Sequence, residues 1–173
     1  MYSDGAYREI GGVSWSRVER LVFACKGNIC RSAYASAKAR SLGVSACSFG
    51  LHAVDGAPAD PAAIRNAAAR LLDLTAHRST QATTCKMTAT DLVVVFEPSQ
   101  IIEARRYGEP GTQFTLLGLW SRPVRPWIQD PYGRSDRYFQ RCFSVIDAAV
   151  LEFANRTNHG LGRGTWPCES GKR

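Results

Sequence analysis

Two residues six positions apart, Cys25 and Arg31, are the part of this sequence best suited to chemistry, in the stretch Cys25-Lys26-Gly27-Asn28-Ile29-Cys30-Arg31-Ser32. A cysteine can act as a nucleophile once it is a thiolate, and thiolates are favoured beside helix N-termini and fixed cations. An arginine offers a planar, permanently charged fork that matches the oxygens of a phosphate. The apolar run Leu21-Val22-Phe23-Ala24 precedes the stretch, and an alanine-rich segment with helical character follows from Ser32. Between a buried strand and a helix N-terminus, backbone N–H groups converge and the helix dipole adds partial positive charge. The stretch therefore reads as an anion cradle. The amides of Lys26, Gly27, Asn28, Ile29, Cys30 and Arg31 surround the anion, and the Cys25 thiol, expected to have a lowered pKa, lies beneath it. Ser32 can donate its hydroxyl to the thiolate. Gly27 allows close backbone approach, and Asn28 tolerates a left-handed conformation.

Elements that would position this cradle can be read on either side of it. Strands are expected over 20–25, 44–49, 91–96 and 112–117, the third being a continuous apolar run (DLVVVF) of the kind covered on both faces. Helices are expected over 32–42, ended by Gly43, from Asp60-Pro61 onward, from Pro98 to about residue 106, and over 135–155. In the second helix Ile64, Ala68, Leu71 and Leu72 form the expected apolar face. In the last, Phe139, Phe143, Ile146, Val150 and Phe153 recur at spacings of 4, 3, 4 and 3. Alternating strands and helices predict a single-domain α/β fold, a four-stranded parallel twisted sheet with helices on both faces. The cradle then falls at the carboxyl ends of the strands, where such sheets bind ligands. Residues 1–18 read as an N-terminal extension, 19–156 as the domain, and 157–173, with four glycines and Pro167, as a flexible tail.

Composition fits this reading. The 173 residues are 45% hydrophobic and 21% charged, as in an ordinary soluble domain. No apolar run approaches the roughly 20 residues needed to span a bilayer, and the N-terminus lacks a signal pattern, so a cytoplasmic protein without membrane insertion is expected. Six cysteines in this length do not form a disulfide framework, and without a C-x2-C pair or spaced histidines no metal site is expected. No cofactor is called for. The net charge of +7 suits a negatively charged substrate, but its basic residues are scattered and no aromatic-basic motif points to nucleic acid.

The stretch LVFACKGNICRS resembles the active-site loop of the low-molecular-weight protein tyrosine phosphatases, which carries C-x5-R-S with an internal G-N-I-C. The resemblance extends over about residues 20–155. Transfer of a phosphoryl group through Cys25 needs a proton donor, and Asp130, in Gln129-Asp130-Pro131-Tyr132 before the last helix, resembles the family's D-P-Y general acid. The resemblance implies that Ser48 and His77 support Asn28, and that Leu51, His52 and Tyr132 form the substrate rim. It also implies a phosphocysteine intermediate. Ala33 stands where the family usually has proline. Phe96-Glu97, Leu117-Gly118-Leu119-Trp120 and the lack of a tryptophan beside the rim resemble the bacterial branch that accompanies tyrosine autokinases of capsule and exopolysaccharide export. The implied partner is a phosphotyrosine protein, a membrane tyrosine autokinase among the candidates, with the enzyme a monomer or weak dimer. A reversible Cys25–Cys30 disulfide would guard the nucleophile against over-oxidation. Two other functions fit the same scaffold. Arsenate reduction needs further resolving cysteines, which 96–107 lacks, and a non-catalytic phosphoprotein-binding module would have no use for Cys25, Arg31 and Asp130 together.

Overall fold

The computed structural model describes residues 11–158, so the tail expected over 157–173 lies almost wholly outside the described residues, as do the first ten positions of the N-terminal extension. Four strands, β1 (Arg20–Cys25), β2 (Ala46–Gly50), β3 (Asp91–Val95) and β4 (Gln113–Leu116), form one sheet in the order β2-β1-β3-β4. Every pairing is parallel. The chain leaves β1 toward β2 on one side, then crosses back to β3 on the other. The carboxyl end of β1, which is Cys25, therefore lies at the switch point of the sheet, with neighbouring strands diverging on both sides.

Helices α1 (Arg31–Ser41), α2 (Pro61–Ala68), α3 (Pro98–Ala104) and α4 (Asp136–Asn158) complete the domain. Strand periodicity divides the core into two layers. Leu21, Phe23 and Cys25 point with Leu92 and Val94 toward the face that holds Tyr34 of α1 and Phe139, Phe143, Ile146, Val150 and Phe153 of α4. Val22 and Ala24 point with Val93 and Val95 to the other face, under Ile101 and Ala104 of α3. All five residues of the α4 stripe are fully buried. At about 2 kcal/mol for each large apolar side chain removed from water, the stripe contributes on the order of 10 kcal/mol of gross driving force. Tyr34 stacks on Phe143 at 3.7 Å between centroids, and its hydroxyl donates to Asp147 at 2.7 Å, fastening α1 to α4.

One expectation on the second helix is overturned. Helix α2 stops at Ala68, which is exposed rather than on the apolar face, and Leu71 is likewise off that face, 96% exposed with φ of +59°. The N–H of Leu72 bonds the carbonyl of Ala67 and that of Leu71 bonds Ala68, closing the helix with a left-handed residue. That turn sends Leu71 into solvent and Leu72 into the core. The helix buries Ala63, Asn66 and Ala67 instead. At the other end of the domain, α4 runs three residues further than the periodicity suggested.

Candidate active site

The loop between β1 and α1 is held from outside by its carbonyl groups. Cys25 O accepts from Leu51 N (2.9 Å), Lys26 O from His52 N (2.8 Å) and Ile29 O from Asp60 N (3.0 Å). The Asn28 carbonyl accepts from Nε2 of His77 at 2.7 Å. In a trans peptide the N–H points opposite to the preceding C=O, so the next amides along the chain face inward and enclose a common centre. No side chain caps α1, whose first turn adds its own N–H groups. The end of β2 closes against this loop without a side chain between them. A Cβ on Gly50 would stand 2.9 Å from backbone atoms of Lys26 and Gly27.

Asn28 is the keystone of the loop. It is fully buried with φ of +55°, a conformation asparagine adopts more readily than other non-glycine residues. Its Nδ2 donates to Ser32 Oγ and Ser48 Oγ, both at 2.9 Å, and its Oδ1 accepts from Thr80 N at 2.9 Å. Because Ser32 already accepts from Asn28, its own proton is available to Cys25 Sγ, 3.0 Å away. The half-buried His77 has its pKa pushed down by burial, and the nearby Arg40 and Arg78 push the same way, against the bond to Asn28. Burial likewise drives the Cys30 thiol well above the usual range, with Asp60 and Asp130 adding to the effect.

Arg31 is 1% exposed and carries four contacts. NH1 donates to Glu97 Oε1 at 2.5 Å and to the Ile128 carbonyl at 2.8 Å, NH2 donates to Asp130 Oδ2 at 2.8 Å, and the guanidinium lies over the Phe96 ring at 5.6 Å. Burial alone would lower its pKa, but Cys25, Asp130 and Glu97 outweigh that and hold it above the ordinary value. Its Nε is the exception. Among the described residues it is the buried side-chain polar atom with no hydrogen-bond partner. Such a donor costs on the order of 1–3 kcal/mol unless something in the site accepts from it.

Asp130 is brought over Arg31 by a loop pinned at three points. Arg125 N bonds the Gly118 carbonyl, Ile128 N bonds Phe96 O, and the Cys142 thiol donates to Gln129 O at 3.8 Å. Gly118 has to be glycine, because a Cβ there would sit 1.7 Å from the Arg125 carbonyl oxygen. Burial raises the Cys142 thiol to about 12, so it stays protonated as a donor. The cavity above the loop measures about 260 Å³ and is lined by Cys25, Lys26, Gly27, Ile29, Cys30, His52, Asp130 and Tyr132.

Of the expected rim residues, His52 and Tyr132 reach this cavity. Leu51 does not. It is buried in the second core layer with Phe49 and Val22, because it continues the strand alternation past Gly50. Ser48 and His77 both meet Asn28, and Ser32 meets Cys25. The sequence reading did not identify what orients Arg31, namely Glu97 and the Ile128 carbonyl. Glu97 had a recognisable signal, an acidic residue immediately after a buried strand, at the edge of the sheet where ligands bind.

A cysteine beneath a ring of amides, a buried arginine with a free donor and a carboxylate above it, all at the switch point of a parallel sheet, are the parts of a cysteine-dependent phosphatase. The chain belongs to the low molecular weight phosphotyrosine protein phosphatase family, whose sequence pattern matches residues 20–161. It is 33% identical over 77% of its length to a probable low molecular weight protein-tyrosine-phosphatase, EpsP, of Ralstonia solanacearum, covering 92% of that protein. Among solved structures it is similar to Vibrio vulnificus Wzb in complex with benzylphosphonate, at 25% identity and a TM-score of 0.69, over 80% of this chain and 98% of that one. The Erwinia amylovora tyrosine phosphatase amsI matches at 28% identity and a TM-score of 0.70, over 80% and 92%.

Proposed function

We propose that Cys25, Arg31 and Asp130 hydrolyse phosphotyrosine in two steps. The observation that carries this reading is the partnerless Arg31 Nε, a buried donor beside the amide cradle that a phosphate oxygen would satisfy. Sγ of Cys25 attacks phosphorus in line with the phenolic oxygen, so that the S–P bond forms as the P–O bond breaks. The loop amides and Arg31 hold the three equatorial oxygens, where charge spreads in a loose transition state. Bound phosphate competes for Arg31 NH2 and frees Asp130 to carry its proton to the leaving phenolate. Asp130 then takes a proton from water, the water oxygen attacks phosphorus, and the S–P bond breaks. Ser32 donates to the departing thiolate. Ile29, His52 and Tyr132 give the cavity apolar and planar walls suited to an aryl ring.

The arsenate alternative finds no support in the second core layer. Cys47 and Cys85 pack there, on the opposite face of the sheet from Cys25. For the physiological substrate, the likeness to EpsP and Wzb favours a phosphotyrosine protein of the exopolysaccharide export machinery, a membrane tyrosine autokinase in particular, reached from the cytoplasm. Among the described residues no helix is long and apolar enough to cross a membrane. The catalytic unit is residues 19–156, and a Cys25–Cys30 disulfide protects the nucleophile from peroxide.

The test is hydrolysis of para-nitrophenyl phosphate near pH 6 with EDTA present. Activity is expected in the wild type, none in Cys25→Ser, and a loss of about 10²- to 10⁴-fold in Asp130→Asn. Activity that survives Cys25→Ser refutes the mechanism.

A further inference from the structure

Helix α3 carries two carboxylates that reach the site from one side. Glu97 at its N-terminal cap holds Arg31 at the base. Glu103 in its last turn, six residues on and so about 9 Å along the axis, places Oε1 3.0 Å from Nε2 of His52. His52 lines the mouth of the cavity, and its backbone N–H is bonded to Lys26 O of the phosphate loop. The imidazole is 59% exposed and Glu103 29% exposed. An ion pair this open to water does little for stability. Its consequence is orientation. An exposed imidazole with no neighbour samples several rotamers, whereas a carboxylate 3.0 Å from Nε2 favours the one that keeps the two groups together. His52 and Tyr132 contribute the planar rings of the cavity lining, and they come from different segments, the end of β2 and the Asp130 loop.

We propose that Glu103 is a positioning residue for the substrate ring. By holding the His52 imidazole on the cavity wall, it sets the preference of this site for aryl over alkyl phosphates. The polar tip of the imidazole is taken up by Glu103, which leaves the ring itself to face the aryl group. The preference is thereby built on α3, the same rigid element that orients Arg31, so ring and phosphate are placed in one frame. The proposal rests on the phosphatase reading, and its test separates the two.

The measurement is the ratio of inhibition constants for methylphosphonate and benzylphosphonate against para-nitrophenyl phosphate hydrolysis, with inorganic phosphate as a ringless control. In the wild type benzylphosphonate binds more tightly. Glu103→Leu is expected to reduce that advantage about three- to tenfold, the size of a lost ring contact. Glu103→Gln, which keeps the size of the side chain and a polar oxygen beside the imidazole, retains most of it. Inorganic phosphate inhibits all of these variants equally. In a His52→Ala background Glu103→Leu has no further effect on the ratio, since the ring it positions is gone. An unchanged ratio in Glu103→Leu, or an equal loss for inorganic phosphate and benzylphosphonate, overturns the proposal while leaving the phosphatase intact. A wild type that hydrolyses nothing overturns the underlying reading instead.

Discussion

Asn28 tests the coupling between fold and site more sharply than any other residue. Substituting alanine removes three side-chain hydrogen bonds, to Ser32, Ser48 and Thr80 N, from a fully buried position. At about 1 kcal/mol each, that loss is roughly 3 kcal/mol. Alanine must also adopt the φ of +55° that the loop imposes, at about 1 kcal/mol more. The sum is about 4 kcal/mol, which for a domain of this size lowers Tm by roughly 8–16 °C. Glycine at the same position loses the same bonds without the left-handed penalty. Asn28→Gly should therefore melt a few degrees above Asn28→Ala, the reverse of the usual order for an interior position.

The same substitutions have a catalytic signature. Ser32 Oγ loses the donor that fixes its hydroxyl, so its proton is no longer directed at Cys25 Sγ. Release of the thiolate in the second step should slow at least about tenfold, the worth of one hydrogen bond to a charged group. Rapid-quench kinetics with para-nitrophenyl phosphate would show this as a larger burst of phenol followed by slower turnover. The reasoning is refuted if the Ala and Gly variants unfold together, or if both lie within about 1 kcal/mol of wild type. In the first case the backbone is not strained, and in the second the network is not structural.

Three further outcomes follow from the site. Glu97→Gln, which keeps an acceptor but removes the negative charge beside Arg31, should lower kcat/KM about tenfold, and Glu97→Ala about a hundredfold, measured with the same chromogenic ester. His77 has its folded pKa below the unfolded value, so the neutral form stabilises the fold at neutral pH and that stability is lost as pH falls below about 6.5 through the depressed folded pKa. Melting curves between pH 7.5 and 5 should therefore show a smaller acid-side drop in His77→Gln than in wild type. Cys30→Ala should retain basal hydrolysis to within severalfold but lose the recovery of activity by dithiothreitol after peroxide, read by timed assays.

Which features were legible in the sequence follows from how locally each is encoded. The phosphate loop was legible because strand, glycine, nucleophile and helix start are consecutive, and the geometry of an anion cradle is set by that succession. The α4 stripe was legible because a helix repeats its pattern over many turns. The partners of Arg31 were not, since Glu97 and the Ile128 carbonyl are separated from it by 66 and 97 residues and meet it only once β3 lies beside β1. Leu71 misled because a helix closed through a left-handed leucine lacks the glycine that ends α1 at Gly43. Leu51 misled through a one-residue question of alternation at the end of a strand, where the side chain goes below the sheet and His52 takes the cavity.

The contrast between the two sides of the cavity bears on how the reaction can proceed. On the phosphate side the polar groups are held in place. Arg31, Asn28 and Ser32 are buried, and the carbonyls of Cys25, Lys26, Asn28 and Ile29 are tied to Leu51, His52, His77 and Asp60. Donors fixed in this way need no reorganisation as charge develops on the phosphoryl oxygens, and that is the condition under which electrostatic stabilisation lowers a barrier most. On the acid side Asp130 is 40% exposed and Tyr132 62% exposed, although the loop is anchored just before them at Ile128 and Gln129. The freedom left is that of one carboxylate, between Arg31 NH2 and the leaving oxygen. The mechanism proposed above needs that freedom, because in it the same carboxyl group serves a departing phenolate and then an arriving water. A site that fixed Asp130 as firmly as Asn28 would bind phosphate well and turn over slowly.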